Sequence, residues 1–320
     1  MSKLTSVEIC SGAGGQALGL EMAGFEHIAL VEIEDTYCKT LKLNRPSWNV
    51  IQNDICKFNG SSYKGVDLLA GGVPCPPFSK AGKQLGEQDE RDLFPEAIRL
   101  VDEIRPRAVM LENVRGLLDA VFDDYRNKII NELRKLGYHA EWKLLNASDF
   151  GVPQLRPRVV FVAIRNDIAH NFCFPNPLET PPPTVGEALY DLMSERGWQL
   201  VSRWRAQAND IAPTIVGGSK KHGGPDLGPT RAKRAWAALG VDGHGIADFA
   251  PDRDFVGLPK LTNRMVARIQ GFPDEWQFYG KKTPVYRQIG NAFPPPVAQA
   301  VGNQIRKCLL NASKKITIGA

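Results

Sequence analysis

Short apolar runs alternate with helical patterns through the first half of the chain. The candidate strands are SVEIC, HIALVEI, NVIQ, VDLLAGG, RAVMLENV and RVVFVAI, which are apolar and rich in β-branched residues, as buried central strands are. Between them, apolar residues recur at helical spacing in GGQALGLEMAGF, TYCKTLKLN, FPEAIRLVDEIR and DDYRNKIINELRKLGY. This order predicts an α/β fold, with a doubly wound, mostly parallel sheet and right-handed crossovers.

The pattern changes near residue 172. A proline-rich connector, FPNPLETPPPT, predicts a domain boundary there. The stretch 212–254 is rich in glycine and charge, has weak periodicity and indicates loops and short strands, whereas NRMVARIQGFPDEW and FPPPVAQAVGNQIRKCLL each predict a helix. We therefore expect a larger domain of residues 1–173, completed by a C-terminal helix within 283–320, and a smaller loop-rich domain of residues 174–282.

Composition narrows the class of protein. The 320 residues are 43% hydrophobic and 23% charged, with no stretch of about 18 apolar residues and no apolar leader at the N-terminus, which predicts a cytoplasmic protein without a membrane segment. The six cysteines form no C-x-x-C pair and the five histidines no H-x-x-x-H pair, so neither a disulfide framework nor a metal site is expected. A net charge of +5 permits a polyanionic partner without requiring one.

A glycine loop joins the first predicted strand to the first helix. Gly12, Gly14 and Gly15 let the backbone approach a ligand, and the helix N-terminus favours negative groups. Glu32 ends the second strand, where a ribose hydroxyl could bind, and Asp54 follows the third, either to accept an adenine amino hydrogen or to cap a turn. This pattern alone fits NAD, FAD or S-adenosylmethionine equally, or a tight turn without a ligand.

A thiol and a carboxylate follow neighbouring predicted strands. Cys75 comes directly after VDLLAGGV and between prolines, which fix the backbone beside it, and Glu112 ends the next strand. Because ligand sites of open α/β sheets lie at the carboxyl ends of strands, we expect both groups at one rim. A lone cysteine is usually a core residue and a lone glutamate is usually solvated, so the combination carries the hypothesis.

Two arginines precede the last predicted strand. In QLRPRVVFVAI, alternation sends Arg156 and Arg158 to the same side, which suits two cations that grip one target. The alternative is an edge strand that its charges protect from pairing.

Together these motifs resemble those of DNA (cytosine-5) methyltransferases, and of the prokaryotic restriction–modification type most closely. The shared motifs are SGAGG, PCPPFS, LENV, QLRPR, QGFPDEW and YRQIGNAFPPPVAQAVG, in the same order and spacing. The resemblance extends from Glu8 to about Arg165 and from Leu261 to about Ile305. It implies the Rossmann-like fold of class I S-adenosylmethionine-dependent methyltransferases, with a smaller target-recognition domain.

The resemblance implies a reaction and its catalytic residues. Cys75 would attack C6 of a flipped-out cytosine in double-stranded DNA, and Glu112 would bind the N3 and amino edge as a neutral acid. Asn113 would brace the cysteine loop, and Arg158 together with Arg156 would contact the cytosine O2. The covalent adduct would make C5 nucleophilic enough to accept a methyl group.

The same resemblance implies S-adenosylmethionine as cofactor. Its binding residues would be Ser11, Gly12, Ala13, Gly14, Gly15, Glu32, Ile33, Asp54, Ile55, Phe78, Asn291 and Ala292. The family usually has phenylalanine, which packs on the adenine, at the position of Cys10. A thiol cannot stack as an aromatic ring does, so we expect Ile33 or Ile55 to take over that packing.

DNA contacts are expected from two segments. Lys80, Lys83 and Arg91 lie in the polar stretch after Cys75, which predicts a lid whose cations reach phosphates, or an ordinary solvated loop. The variable segment of about 174–260 corresponds to the recognition region of the family. Its candidates are Thr214 for the DNA backbone, and Lys220, Lys221, His222, Arg231, Lys233 and Arg234, on Gly-rich loops, for bases, phosphates or solvent.

The leading hypothesis is thus a DNA (cytosine-5) methyltransferase that acts on a short specific site, as a monomer, with a cognate restriction endonuclease for the same site. A tRNA cytosine-5 methyltransferase on the same fold and a catalytically idle DNA-binding regulator are the alternatives, and a nicotinamide oxidoreductase rests on the glycine loop alone. An adenine or N4-cytosine methyltransferase is disfavoured because the chain has no tetrapeptide like Asp-Pro-Pro-Tyr.

Overall fold

The structure, a computed structural model, describes residues 3–74, 92–218 and 224–318. Contacts divide the chain into two compact units. The first unit comprises Met1–Leu145, Pro157–Asn176 and Val297–Ala320, and the second comprises Asn146–Arg156 and Pro177–Pro296. The division after Asn176 falls within the proline-rich connector, whereas residues 146–156 and 283–296 are grouped with the second unit rather than the first.

A seven-stranded sheet forms the first unit. Its strands are β1 (Leu4–Ile9), β2 (Phe25–Glu32), β3 (Val50–Gln52), β4 (Leu68–Gly71), β5 (Ala108–Val114), β6 (Tyr138–Asn146) and β7 (Pro157–Arg165), in the order β3-β2-β1-β4-β5-β7-β6. Strands β1 to β5 pair in parallel, and β7 pairs antiparallel with β5. The predicted α/β class and mostly parallel sheet are confirmed.

Strand β6 was not predicted from the sequence. It lies at the end of the strand order, and more than half of its residues are exposed or half-buried. An edge strand with so little burial has no continuous apolar run. The sequence pattern therefore did not distinguish β6 from the polar segment that follows the preceding helix.

Helices cover the sheet because their apolar residues fall on one stripe. The helices of the first unit are α1 (Gly15–Met22), α2 (Asp35–Asn44), α3 (Phe94–Ile104), α4 (Asp123–Lys135) and most of α10 (Pro295–Ile318). In α3, Phe94, Ala97, Leu100, Val101 and Ile104 recur at intervals of three and four, and all are buried. They pack with apolar residues of β1, β2, β4 and β5 in one core.

The second unit is more helical than the sequence indicated. It contains α5 (Val185–Ser194), α6 (Val201–Gln207), α7 (Thr230–Ala238), α8 (Asn263–Ile269) and α9 (Lys282–Asn291). The expectation of loops and short strands over 212–254 was wrong at α7, in which Trp236 is buried and the other residues are exposed or half-buried. Weak periodicity hid this helix because most of its turns face solvent.

Among the residues that the structure describes, no helix is long and apolar enough to cross a membrane.

Candidate active site

The carboxyl ends of β1, β2, β4 and β5 lie at one rim of the sheet, because these strands run parallel. Glu32 is the last residue of β2, and Glu112 lies two residues before the end of β5. The glycine loop follows β1, and Gly72 follows β4. The rim therefore brings the chemistry-bearing motifs of the first unit to one side of the sheet.

An ion pair between Glu112 and Arg158 stands at this rim. Arg158 Nε lies 2.8 Å from Glu112 Oε1, and the two side chains are only 13% and 12% exposed. The antiparallel register sets Arg158 opposite Val114, two residues after Glu112, so both side chains point to the same face. Burial lowers the pKa of Arg158 and the Glu112 carboxylate opposes that shift. The pair is a desolvated, directional unit and not a surface bridge.

The end of β4 is fitted against this pair. A Cβ placed on Gly72 would lie 3.5 Å from Glu112 Oε2, so the backbone passes the carboxylate at van der Waals distance. Asn113, 4% exposed, donates from Nδ2 to the Val73 carbonyl at 3.1 Å. The chain is thus anchored beside Glu112 two residues before Cys75.

Several predicted site residues lie outside the described residues. These are Cys75, Phe78, Lys80, Lys83, Arg91, Lys220, Lys221 and His222.

The prediction that Arg156 and Arg158 grip one target from the same side was wrong. Strand β7 begins at Pro157, so strand alternation does not apply to Arg156. Arg156 is fully buried, and its guanidinium donates to the carbonyls of Ile215 (2.7 Å), Gly290 (2.7 Å) and Ala292 (3.1 Å), all within the second unit. A guanidinium engaged by three backbone carbonyls serves the protein's own fold.

The glycine loop takes a conformation that needs its glycines. Gly12 and Gly14 have φ of 55° and 87°, in the left-handed region, and Gly14 is the N-cap of α1. Cys10 also has a positive φ, of 50°. Three left-handed residues within five turn the chain sharply from β1 into α1, whose first N–H groups have no acceptor within the helix.

Glu32 joins this loop to β2. Its Oε2 accepts from the Gly12 N–H at 2.7 Å and its Oε1 accepts from the Glu34 N–H at 2.9 Å. Burial raises the pKa of Glu32, and these backbone bonds oppose the rise. Ser11 adds a second tie, since its N–H donates to the Val31 carbonyl at 3.2 Å. The loop is therefore held in place by β2 itself.

Ile33 and Ile55 have different environments. Ile33, directly after Glu32, is 59% exposed, whereas Ile55 is 5% exposed and belongs to the apolar core. Asp54 caps a short 3₁₀ turn by accepting from the Cys56 N–H at 3.0 Å. Burial raises the pKa of the Cys10 thiol. The apolar surface open to a ligand beside Glu32 is that of Ile33.

Other predicted residues lie in the second unit. Asn291 is exposed at the end of α9 and donates from Nδ2 to the Gly218 carbonyl at 3.2 Å, and Ala292 is buried. The Thr214 hydroxyl donates to the Leu155 carbonyl. Arg231, Lys233 and Arg234 lie on α7 and not on Gly-rich loops, and Lys233 pairs with Asp226 at 2.8 Å.

Sequence reasoning assigned no role to three fully buried residues of this unit that carry polar groups: Gln154, Gln270 and Tyr286. Gln154 Oε1 accepts from the Ile215 N–H at 2.9 Å, and Gln154 Nε2 donates to Gln270 Oε1 at 2.8 Å. The only signal in the sequence is their place in QLRPR, QGFPDEW and YRQIGN, which gives no hint that the three motifs meet.

Known proteins share these features along the whole chain. Residues 4–307 match the family of C-5 cytosine-specific DNA methylases. The type II methyltransferase M.NgoMIV of Neisseria gonorrhoeae is 61% identical over 310 residues, which cover 96% of this chain and 98% of that protein. M.NaeI of Lentzea aerocolonigenes is 60% identical, over 97% of this chain and 76% of that protein.

The fold has counterparts among solved structures. A prophage-encoded protein of E. coli, described as a DNA modification methyltransferase, superimposes with a TM-score of 0.67 and 25% identity, over 97% of this chain and 99% of that one. The family match spans both units and includes the Pro-Cys loop, Glu112 and Arg158. On the strength of the rim geometry and these matches, the chain belongs to the C-5 cytosine-specific DNA methylases.

Proposed function

We propose that this protein transfers a methyl group from S-adenosylmethionine to C5 of a flipped-out cytosine at a specific double-stranded DNA site, as the modification enzyme of a restriction–modification system. The observation that carries the proposal is the Glu112–Arg158 pair at the rim, with Asn113 bound to Val73 just before Cys75. The type II methyltransferases among its relatives support the restriction–modification role. A restriction endonuclease for the same site is the partner we propose.

In this proposal Cys75 is the nucleophile. Its thiolate forms a bond to C6 of the cytosine, and the electron pair of the C5–C6 double bond moves toward N3. Positive charge nearby stabilises a thiolate, and Arg158 supplies it at the rim. Because C6 inside a duplex cannot be approached from above the ring, the cytosine has to leave the stack.

Glu112 meets the charge that develops at N3. The sequence suggested a neutral acid, but an arginine at 2.8 Å favours the ionised carboxylate in the free protein. When the cytosine edge binds at this carboxylate, Glu112 takes up one proton from solvent, shares it with N3 as charge develops there and regains it when the ring is restored, while Arg158 donates to O2. Such preorganised donors, aimed at developing charge, form the largest part of many catalytic effects.

When bound, the cofactor would supply an electrophilic methyl group for C5, with cleavage of its sulfur–methyl bond and S-adenosylhomocysteine as the leaving group. Loss of the C5 proton to solvent and expulsion of the Cys75 thiolate then restore the ring, so that one methyl group is gained and one proton is lost. Asn113 is a positioning residue, because its bond to Val73 holds the chain near Glu112 two residues before Cys75.

The residues of the glycine loop fit S-adenosylmethionine. The N–H groups in the first turn of α1 suit the carboxylate of the methionine tail, and Glu32 retains lone pairs for the ribose hydroxyls. Ile33 offers the apolar cover for adenine that Cys10 cannot give. Ser11, Ala13 and Gly15 shape this loop, and we propose Asp54, Phe78, Asn291 and Ala292 as further contacts.

DNA binding falls, in this proposal, to the cations of residues 80–91 and to the second unit. Arg231 and Arg234 are exposed on α7 and suit phosphates or guanine edges. Lys233 would first have to leave Asp226, and the Thr214 hydroxyl is engaged with Leu155, so we assign both to later stages of complex formation.

The experiment is sequencing of DNA from a host that expresses the chain, with detection of 5-methylcytosine. We expect methylation at one short recurring site, and none with Cys75→Ala. Cys56→Ser, which alters an exposed cysteine, is the matched control and should methylate normally. Tritium release from C5-labelled DNA, but not from labelled tRNA, would support DNA as the substrate. Full methylation by Cys75→Ala would refute the mechanism.

A further inference from the structure

Four buried side chains of the second unit bind two separate backbone segments. We call this group the buried clamp: Gln154, Arg156, Gln270 and Tyr286, all of them at most 1% exposed. The first segment is Ile215–Gly218, which follows β7 by some fifty residues, and the second is the turn Gly290–Ala292 at the end of α9. The cytosine contact predicted for Arg156 does not account for this cluster, whose bonds go to the protein's own backbone.

Arg156 binds both segments with a single side chain. Its Nη1 donates to the Ile215 carbonyl at 2.7 Å, while its Nη2 donates to Gly290 at 2.7 Å and to Ala292 at 3.1 Å. A planar guanidinium fixes the direction of each bond, so the carbonyls on either side cannot rotate independently. One side chain thus sets the relative placement of both segments.

The other clamp residues complete the same connection. Gln270 donates to the Ala292 carbonyl at 2.5 Å and accepts from Gln154, which in turn accepts from the Ile215 N–H at 2.9 Å. The Tyr286 hydroxyl lies 3.1 Å from the Val216 carbonyl and 2.5 Å from that of Asp226. Because each member of this buried network is hydrogen-bonded to another member or to one of the two segments, displacement of one member is resisted by the others.

The two segments also touch directly. A Cβ on Gly217 would lie 2.4 Å from Asn291 Oδ1 and 2.8 Å from the Arg287 carbonyl, and a Cβ on Gly290 would lie 2.5 Å from the Gly217 Cα. Asn291 then donates to the Gly218 carbonyl at 3.2 Å. Backbone meets backbone with no room for a methyl group, so a shift of one segment has to move the other.

We propose that the buried clamp, with Arg156 at its centre, couples cofactor binding to DNA binding. The inference rests on the proposed function, in which Asn291 and Ala292 contact S-adenosylmethionine and the segment around Thr214 contacts DNA. A ligand that fixes either segment lowers the cost of ordering the other. By linkage, each ligand then strengthens the affinity of the other by the same factor. Arg156 is a positioning residue and not a catalytic one.

The test is a binding cycle with the full chain. The dissociation constant of S-adenosylhomocysteine, which permits no turnover, is measured by calorimetry with and without a duplex that carries the site mapped by sequencing. For the wild type we expect the duplex to tighten binding by about fivefold or more, as coupling between sites typically does. The ratio of the two constants is the readout, because a purely structural defect weakens binding without changing this ratio.

Two variants and a control decide the outcome. Gly217→Ala forces the segments apart, and Arg156→Lys leaves a single ammonium where the guanidinium bridged two segments; both should bring the ratio to within about twofold of one. Gly224→Ala, where an added Cβ meets nothing within 4 Å, should keep the wild-type ratio. If Arg156→Lys does not fold, Tyr286→Phe replaces it and should lower the ratio in part.

A folded Gly217→Ala protein with the wild-type ratio would overturn the coupling, as would a wild-type ratio near one. Either result leaves the proposed function intact, since both ligands still bind. Failure of the wild type to bind S-adenosylhomocysteine at all would instead contradict the proposed function.

Discussion

At the scale of single residues, two arginines that lie two positions apart have different environments and different roles. Arg158 faces a carboxylate at the rim, whereas Arg156 is fully buried among carbonyls of the second unit. Their spacing in the sequence predicted that both side chains point to the same side and bind one target. The strand start at Pro157 separates them, because only Arg158 belongs to the pleat that faces Glu112.

Glu112→Gln tests the rim pair. The amide keeps an oxygen for Arg158 but no longer supplies the negative charge that attracts a proton to N3, so we expect kcat to fall by about 10²- to 10⁴-fold. Binding of S-adenosylhomocysteine should change little, since Glu32 and the glycine loop are untouched. Glu141→Gln, on the exposed edge strand, is the control. Wild-type turnover of Glu112→Gln would contradict the assigned role.

His27 gives a prediction on pH. Its Nε2 donates to the Ala17 carbonyl and its Nδ1 accepts from the Ser6 hydroxyl, each at 2.8 Å, so the neutral ring fits the site. Burial lowers its pKa below the ordinary value of 6.5. His27 therefore binds a proton more readily in the unfolded chain than in the folded protein, and the free energy of unfolding falls as the pH drops below about 6.5.

The measurement is the free energy of unfolding in urea between about pH 8 and about pH 5. We expect the wild type to lose stability in the lower half of this range and His27→Gln to lose less. His139→Gln removes an exposed histidine and should keep the wild-type dependence. Equal slopes for the wild type and His27→Gln would be the contrary result.

At the scale of elements, the rim depends on how closely β1 and β4 approach. Ile9 and Gly71 are paired in register, and a Cβ on Gly71 would lie 2.6 Å from Ile9 Cγ1 and 2.7 Å from the Ile9 carbonyl. A glycine at the end of β4 thus permits a spacing that any side chain would disturb.

Gly71→Ala should therefore lower the free energy of unfolding by about 1–3 kcal/mol, as overpacking of a core does. It should also reduce turnover, because the displaced strand leads directly to Gly72, which lies against Glu112, and to Val73, which binds Asn113. Urea titration and a methylation assay measure the two effects. Gly224→Ala, with open space at its Cβ, should match the wild type in both. An unchanged midpoint for Gly71→Ala would show that β1 and β4 are not closely packed here.

At the scale of the whole molecule, the charge of +5 becomes informative only once the family is known. A polyanionic substrate binds with release of counterions, so affinity should fall as salt rises. The net charge alone would equally fit a protein with no nucleic acid partner.

We expect the logarithm of KM for DNA to rise linearly with the logarithm of salt concentration. Lys220→Ala and Lys221→Ala should each reduce this slope by up to about 0.9, the value for one lost phosphate contact. Lys39→Ala, which removes a lysine paired with Asp35 on α2, should leave the slope unchanged. Slopes for Lys220→Ala and Lys221→Ala equal to that of the wild type would remove both residues from the DNA contact.

The sequence by itself determined the α/β class, the mostly parallel sheet and the family, because continuous apolar runs and motifs such as PCPPFS and LENV are local features. It located Glu112 and Arg158 for the same reason. The tertiary structure alone decided that these two side chains pair, that Arg156 is buried elsewhere, and that β6 and α7 exist. Each of these depends on contacts between residues far apart in the chain, and long-range packing leaves little periodicity in a half-exposed strand or helix.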